Sequence, residues 1–402
     1  MFGLGVLGNL GLVGGGGMPS WVPVADGFPA DLAFDFTQNL AWTRSTGALS
    51  TASSLLTCTR AISGTGHTYD YAVNSLGVYS GFLANVPRMT DLGLLVEESR
   101  VNIVLNNRDL TQGTWTPSNI TAAKDQVGVD GAANSASSII ATAGNGTILG
   151  ATTVSSSARW QTAFVKRLVG SGTIQMTMDN GSTWTTVTVT SSWSRVSIPT
   201  QTLANPTVGF KIVASGDKIA VDFVQNEASA AFATSPIATT SAAVTRNADS
   251  VVLTSLPAAG SAYSAVGWGA PNAPTSFTTA QNIIQLDNGT NSQRLVMRRQ
   301  ASTGALLAAL VGGSGASIVP SGTWAQSTLG KFAAGVIANS QGAAFNATLA
   351  TDTTAGTLPT TPTALRFGSN ATPGEFFNGF IASEAFWFSQ RITDAGLQGL
   401  TT

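Results

Sequence analysis

Strand-period alternation interrupted by turn residues that tolerate a positive φ is the feature that most restricts what this chain can fold into. In Met176-Thr177-Met178-Asp179-Asn180-Gly181-Ser182-Thr183-Trp184 an Asp-Asn-Gly turn lies between alternating stretches, a strong signal for a β-hairpin. Leu286-Asp287-Asn288-Gly289 repeats the device. Ile219, Val221 and Phe223 fall on one face at period two, and Phe34 and Phe36 flank Asp35 in the same way. Such a pattern predicts strands joined by tight turns.

Composition agrees with this by a separate route. Only 10% of residues are charged, against roughly a quarter in ordinary soluble domains. Hydrophobic residues make up 43%, which rules out a chain too polar to fold. Gly numbers 44, and Thr, Val, Ile and the aromatics favour strands while Gly, Asn, Ser and Pro supply turns. At 402 residues the length predicts two to four domains.

The charge balance excludes several function classes. Nineteen Lys and Arg against 20 Asp and Glu leave a net charge of −1, without the basic stripe that a phosphate backbone requires, so no nucleic-acid partner is expected. The single cysteine, Cys58, excludes an internal disulfide framework and a thiolate metal cluster, and reads as a buried small hydrophobe. No metal and no cofactor is expected. A chain that does not depend on oxidation suits folding in a bacterial cytoplasm.

Met1 to Gly17 alternates glycine with Leu, Val and Phe and ends in four glycines. No Lys or Arg precedes Arg44, so it lacks the positive region of a signal peptide, and it is too short and glycine-rich for a membrane-spanning helix. The remaining readings are a disordered leader and a sticky peptide that orders against a neighbour, and the second is favoured because leaving Leu4, Leu7, Leu10, Leu12, Val6 and Val13 in water is unfavourable.

Glu97-Glu98 invites an acid/base reading. Adjacent residues in a strand point to opposite faces and cannot share one substrate atom, so a structural reading is better. One glutamate would pair with Arg44, Arg88 or Arg100, as a buried carboxylate requires.

A longer pattern contains these residues. Phe34-Asp35-Phe36, Trp42-Thr43-Arg44, Val86-Pro87-Arg88, Gly93-Leu94-Leu95-Val96-Glu97-Glu98-Ser99-Arg100 with Asn102, and Trp115-Thr116 follow one another. This series resembles a motif of tail-fibre and head-spike proteins of tailed bacteriophages, with a lengthened middle segment between Cys58 and Tyr79. The resemblance implies a connector in which Arg44, Arg88, Glu97, Glu98, Arg100 and Asn102 are structural. It also implies a virion-attachment role for the Gly-Leu leader.

Two further resemblances cover the remainder. Asp130 to Ala136, Met176 to Trp184, Trp193-Ser194-Arg195-Val196, Ile219 to Glu227 and the closing Phe232 to Pro236 and Val244 to Asp249 resemble a carbohydrate-binding-module-like jelly roll. Leu365 to Asn370, Phe377 to Trp387 and Arg391 to Gln398 resemble a concanavalin-like or laminin-G-like sandwich, in which the last stretch forms a short helix capped by Thr or Asp. The expected organisation is all-β, with serial β-sandwiches: leader 1–18, β-rich connector 19–108, jelly roll 109–236 and concanavalin/laminin-G-like sandwich 237–402.

Sugar sites use exposed aromatic platforms beside a few polar groups. Trp193, before Ser-Arg-Val at a strand start, reads as core. The glycan-binding expectation therefore falls on Trp184, beside a hairpin turn, with Trp115 and Trp160. Catalytic signals are weak: His67 is the chain's one histidine and has no partner at a diagnostic spacing. Asp217, Asp222 and Glu227 are the densest acidic group, but Asp222 is in the strand pattern and the resemblance makes Glu227 part of the jelly-roll signature.

The functional expectation is a non-enzymatic virion structural protein, a tail fibre or head spike fibre, presenting β-sandwiches to host-surface glycan. Its partners would be other virion proteins through Met1–Gly17, host glycan, and further copies of itself, with a trimer favoured. No membrane insertion is expected. A capsid decoration protein without receptor binding, and a virion-associated glycan depolymerase, are the alternatives.

Overall fold

The computed structural model describes residues 17–402 apart from 63, 65, 66, 229, 230, 312–315, 355, 360 and 373. Met1 to Gly16, and with them the expected leader, lie outside the described residues. Apart from one turn, Ala52–Leu55, and the helix Asp394–Leu400, the regular elements are strands, so the chain is all-β. No helix among the described residues is long and apolar enough to cross a membrane. Contacts among the described residues divide the protein into two compact units: one holds 17–60 with 85–98 and 248–402, the other 61–84 with 99–247. The stretch 19–108, expected as a connector of its own, is shared between the sheets of both units.

The first unit is a sandwich of two antiparallel sheets. One has ten strands, whose main path runs Thr348–Asp352, Ser340–Phe345, Gly330–Ile337, Tyr263–Pro271, Gly379–Trp387, Leu32–Asp35, Leu40–Thr43, Ala48–Thr51. Gly93–Val96 also pairs with Gly379–Trp387, placing Leu94 opposite Ile381. The seven-stranded sheet runs from Ala316–Ile318 through Gln281–Asp287 and Ala364–Phe367 to Thr57–Thr59. Alternation puts Leu32, Phe34 and Phe36 on the inner face, where Phe34 and Phe36 meet Phe367 edge-on at centroid distances of 5.2 and 5.3 Å. Ala33, Val266, Ala333 and Ala385 point the other way and are covered by Val22 and by Leu397 of the closing helix. That helix begins as its sequence suggested, with the Thr393 Oγ1 accepting from the Gly396 N–H at 3.1 Å.

Buried among these strands is a charged network. The Arg88 guanidinium meets Glu97 at 2.9 Å and also meets Asp249, which Arg60 approaches at 2.8 Å. The Glu97 N–H donates to Asp249 Oδ2 and the Asp249 N–H to the Glu97 carbonyl. Of the three arginines considered for Glu97, it is Arg88 that meets it. Arg44 is exposed and pairs with Asp31 at 3.3 Å instead. Cys58 is buried in the same unit.

The second unit stacks two five-stranded antiparallel sheets. One is Trp115–Ser118, Gly146–Ala151, Thr207–Ile212, Ile174–Thr177, Thr185–Val187; the other is Ile120–Gln126, Ala136–Ala141, Lys218–Ala228, Ser157–Val169, Ser194–Leu203. Ile139, Ile148, Phe210 and Ile219 from both sheets share one core. The predicted hairpin forms, with Met176 opposite Thr185 and with Asn180 and Gly181 at φ of 60° and 80°. Asn102 is a buried clamp: its amide donates to the Val224 and Ile237 carbonyls, and its Oδ1 accepts from the Val104 and Asn226 N–H groups. Arg100 lies 5.7 Å from the ring centroid of the buried Phe232.

One expectation about alternation fails. Ile219 and Val221 face the core, but Phe223 does not follow them, because the strand bulges. Thr162 pairs with Gln225 and Phe164 with Asp222, so Phe223 and Val224 together oppose Ala163. Phe223 takes a φ of +43°, Val224 inherits the core position, and the Phe223 ring joins a second cluster with Tyr71, Val129 and Phe164.

Candidate functional site

A pocket of about 470 Å³ in the second unit is lined by Tyr69, Tyr71, Arg108, Gln112 and Lys124 among others, and Phe223 lies behind it, under Arg108. The Arg108 guanidinium lies 4.0 Å over the Phe223 ring and is clamped by two carboxylates. Its Nε and Nη2 donate to Asp222 at 2.7 and 3.0 Å, its Nη1 and Nη2 to Asp130 at 2.8 and 2.9 Å, and Nη2 also to Ser135 Oγ at 2.9 Å. Asp222 is itself fixed, accepting from the backbone of Val129 and Phe223 at 2.9 Å each. Burial works against the Arg108 charge, but the hydrogen bonds of Asp130 and Asp222 outweigh it and hold the group protonated. Burial likewise disfavours the Asp130 charge, yet Arg108 keeps that carboxyl below the ordinary range. Arg108 therefore fixes the shape of the pocket, since nearly all its donors are occupied by the protein.

Tyr71 stands edge-on to Phe223 at 5.0 Å, and desolvation pushes its phenol up to about 12, so it stays neutral. Tyr69, 43% exposed, immediately precedes the strand Asp70–Val73, which carries Tyr71 and pairs with Tyr79–Phe82. Gly81 on the opposite strand makes room for it, because a Cβ there would stand 2.8 Å from the Tyr69 Cβ. Asn106, Gln112, Lys124 and Thr240 supply amide, ammonium and hydroxyl groups around the opening. Lys124 is 3.5 Å from Asp109, whose two oxygens are also bonded by Thr111 and Gln112. Volume and lining fit a small polar ligand with one ring face against an aromatic.

The tryptophans expected to bind sugar are dispersed. Trp115 is core: it is 3% exposed, packs with Leu110 and Ile148, and its Nε1 donates to the Asn106 carbonyl at 3.2 Å. It has no face for a ligand, a correction that follows from its burial as the one inward residue of Trp115–Ser118, whose other three residues are exposed. Trp160 is half-buried in the long strand Ser157–Val169, opposite Glu227, and its Nε1 is buried without a hydrogen-bond partner among the described residues. Trp184 is half-buried beside its hairpin, with Gly181 on one side and the Lys211 ammonium 4.7 Å from the ring centroid. Trp193 packs against the Phe164 and Phe223 cluster.

Residues that sequence reasoning passed over make the pocket: Tyr69, Tyr71, Arg108, Gln112 and Lys124. A signal was present, since three of the chain's four tyrosines, Tyr69, Tyr71 and Tyr79, fall in the lengthened middle segment.

The acidic residues considered for hydrolysis are engaged in separate bonds. Asp217 accepts from Arg167 and the Gly172 N–H at 2.9 and 2.7 Å, Asp222 from Arg108, and Glu227 from the Thr234 hydroxyl at 2.5 Å. His67 is buried, its Nε2 3.0 Å from Asp70. Among the described residues no group of three or more His, Cys, Asp or Glu is arranged to hold a metal ion.

No protein-family model and no curated protein matches the sequence. Among solved structures, the Ruminococcus gnavus IT-sialidase CBM40 bound to α2,3-sialyllactose aligns at 15% identity over 36% of this chain and 84% of its own, with a TM-score of 0.31. Domain 4 of AbnA, a GH43 extracellular arabinanase from Geobacillus stearothermophilus, in complex with arabinotriose, aligns at 13% identity over 39% and 73%, with a TM-score of 0.33. The heptameric SAP-like pentraxin of Limulus polyphemus aligns at 12% identity over 36% and 70%, with a TM-score of 0.27. Likenesses at this level carry no weight for what the chain binds.

Proposed function

We propose that this protein is a structural protein of a tailed-bacteriophage virion, a tail fibre or head spike fibre, that attaches to host-surface glycan without cleaving it. The observation that carries the glycan part is the preorganised pocket beside Arg108. A rigid ion-paired floor, an exposed tyrosine ring and neutral amide and hydroxyl groups suit a sugar, whose C–H face covers an aromatic ring while its hydroxyls meet planar polar groups. The virion part rests on the resemblance of Phe34 to Trp115 to the fibre motif. Repeated copies of a weak site raise attachment strength through effective concentration, so weak single-site affinity is sufficient.

The test is binding of the full chain to an immobilised panel of bacterial surface polysaccharides. Wild-type protein should bind reversibly and release no reducing ends on long incubation. Tyr69→Ala and Gln112→Ala should each weaken binding by about tenfold, a loss of about 1.4 kcal/mol, with the melting transition unchanged. Undiminished binding by both variants would remove the pocket from the reading, and steady release of oligosaccharide would overturn the non-enzymatic part. Antibody labelling of purified particles tests the virion assignment.

A further inference from the structure

A second cleft lies in the first unit, on the outer face of the ten-stranded sheet, and has a volume of about 560 Å³. Strand register explains its lining. Asp35 stands opposite Ser383, Ser383 opposite Trp268, and Trp268 opposite Lys331. Directly opposed residues of antiparallel strands share a face, so these four side chains form one row across four adjacent strands. The parallel row two residues along each strand is Ala33, Ala385, Val266 and Ala333, and Val22 and Leu397 cover it. That cover stops short of the polar row, where Ser383, Trp268 and Lys331 remain half-buried, and Trp21 and Leu400 wall the opening.

The two ends of the row differ in charge and in engagement. At one end the Lys331 ammonium lies 5.4 Å from the Trp268 ring centroid and contacts the oxygen of Thr402, which lines the same cleft, so the cation there is already answered. At the other end Asp35 is 6% exposed, and its two oxygens are treated differently. Oδ1 accepts from the Thr37 hydroxyl and N–H and from the Gln38 N–H, whereas Oδ2 makes no hydrogen bond or ion pair among the described residues. A carboxylate this nearly buried is costly to leave with one oxygen unanswered, and the group that answers it best is a cationic donor. Ser383 separates Asp35 from Trp268, and two strand spacings of about 4.8 Å leave about 10 Å between their strands, enough for one pyranose ring.

We propose that this cleft is a second ligand site, one that takes an amino saccharide. The ligand's ammonium would meet Asp35 Oδ2, its ring would lie over Ser383 against Trp268, and the Ser383 hydroxyl would serve a neighbouring sugar hydroxyl. Lys331, on the far side of Trp268 from Asp35, repels the ammonium and so sets the direction in which the sugar lies. The cleft belongs to the first unit and the pocket beside Arg108 to the second, and glycan binding at that pocket neither supports nor weakens this one.

The probes are glucosamine hydrochloride and glucose, titrated into the full chain and followed by tryptophan fluorescence and saturation-transfer NMR. Glucosamine should bind about fivefold more tightly than glucose, the size of one partly exposed charge interaction. Asp35→Asn keeps an oxygen for Thr37 and Gln38, so the melting transition should hold while the preference disappears. In the unaltered chain the preference should shrink towards unity as sodium chloride is raised, because added salt screens the ion pair. Trp268→Phe should weaken both sugars, and Tyr69→Ala should leave the preference intact. Equal binding of the two sugars, binding of neither, a preference indifferent to salt, or one that survives Asp35→Asn overturns the proposal. A preference lost on Tyr69→Ala also overturns it, and assigns amino-sugar recognition to the other pocket.

Discussion

Removing the carboxylate of Asp249 tests how the first unit holds its buried charges. Asp249 is 1% exposed and accepts from Arg60, from Arg88 and from the Glu97 N–H. Asp249→Ala withdraws a carboxylate from two buried guanidinium groups, and breaking a buried pair in this way costs about 3 to 5 kcal/mol. It also deprives a buried N–H of its acceptor, which adds about 1 to 3 kcal/mol. The sum rivals the whole stability of an ordinary domain, about 5 to 15 kcal/mol, so the transition of this unit should fall sharply or disappear.

Glu97→Ala is the milder version, because Arg88 keeps Asp249; a loss of about 3 kcal/mol is expected. Arg44→Ala is the control, since the exposed Arg44–Asp31 pair should contribute under about 1 kcal/mol. Urea unfolding followed by circular dichroism and tryptophan fluorescence reads all three, with separate transitions fitted where the units unfold independently. If Asp249→Ala and Glu97→Ala both cost no more than Arg44→Ala, the network is hydrated and the burial reasoning fails.

Three further outcomes are expected. Glu384 is fully buried with neither carboxylate oxygen bonded among the described residues, and desolvation pushes its carboxyl well above the ordinary glutamate value. Its contribution to stability is therefore fully present below the unfolded-state value and is lost as pH rises through the raised folded-state value, a slope that Glu384→Gln should remove in melting curves taken across pH; identical slopes would contradict it. Gly81→Ala should push Tyr69 out of place and weaken glycan binding while the protein stays folded, and unchanged affinity would show that Tyr69 is not part of the site. Trp115→Ala should cost about 3 to 5 kcal/mol, as core aromatics do, whereas the half-buried Trp184→Ala should cost about 1 kcal/mol; thermal unfolding that ranks them the other way would refute the burial assignment.

What was legible in the sequence was what local chemistry decides. Asn180 and Gly181 announce a turn because both adopt positive φ there, whereas the capped closing helix was implied by the family resemblance, and the Thr393 hydroxyl does accept from the Gly396 N–H. The inward set Leu32, Phe34 and Phe36 follows from period two alone. Pairing partners were not legible, since Leu32–Asp35 finds its neighbour in Gly379–Trp387, some 350 residues along the chain, and alternation does not encode which strand lies alongside. Phe223 shows the same limit within one strand. Its apolar side chain fits either face, and only the opposing strand, one residue short at Ala163, forces the bulge.

The sites were hidden for a related reason. Tryptophan identity says that a large ring must be placed, not whether it turns inward, so Trp115 and Trp184 look alike in sequence and differ in burial. The polar row on the outer face of the ten-stranded sheet arises from register. Lys331 becomes Trp268's neighbour, and Ser383 lies between Trp268 and Asp35, only because three separate strand pairs are in phase. A one-residue slip in any of them would send a member of that row into the core face, so the same hydrophobic alternation that enforces the register also holds the polar row together.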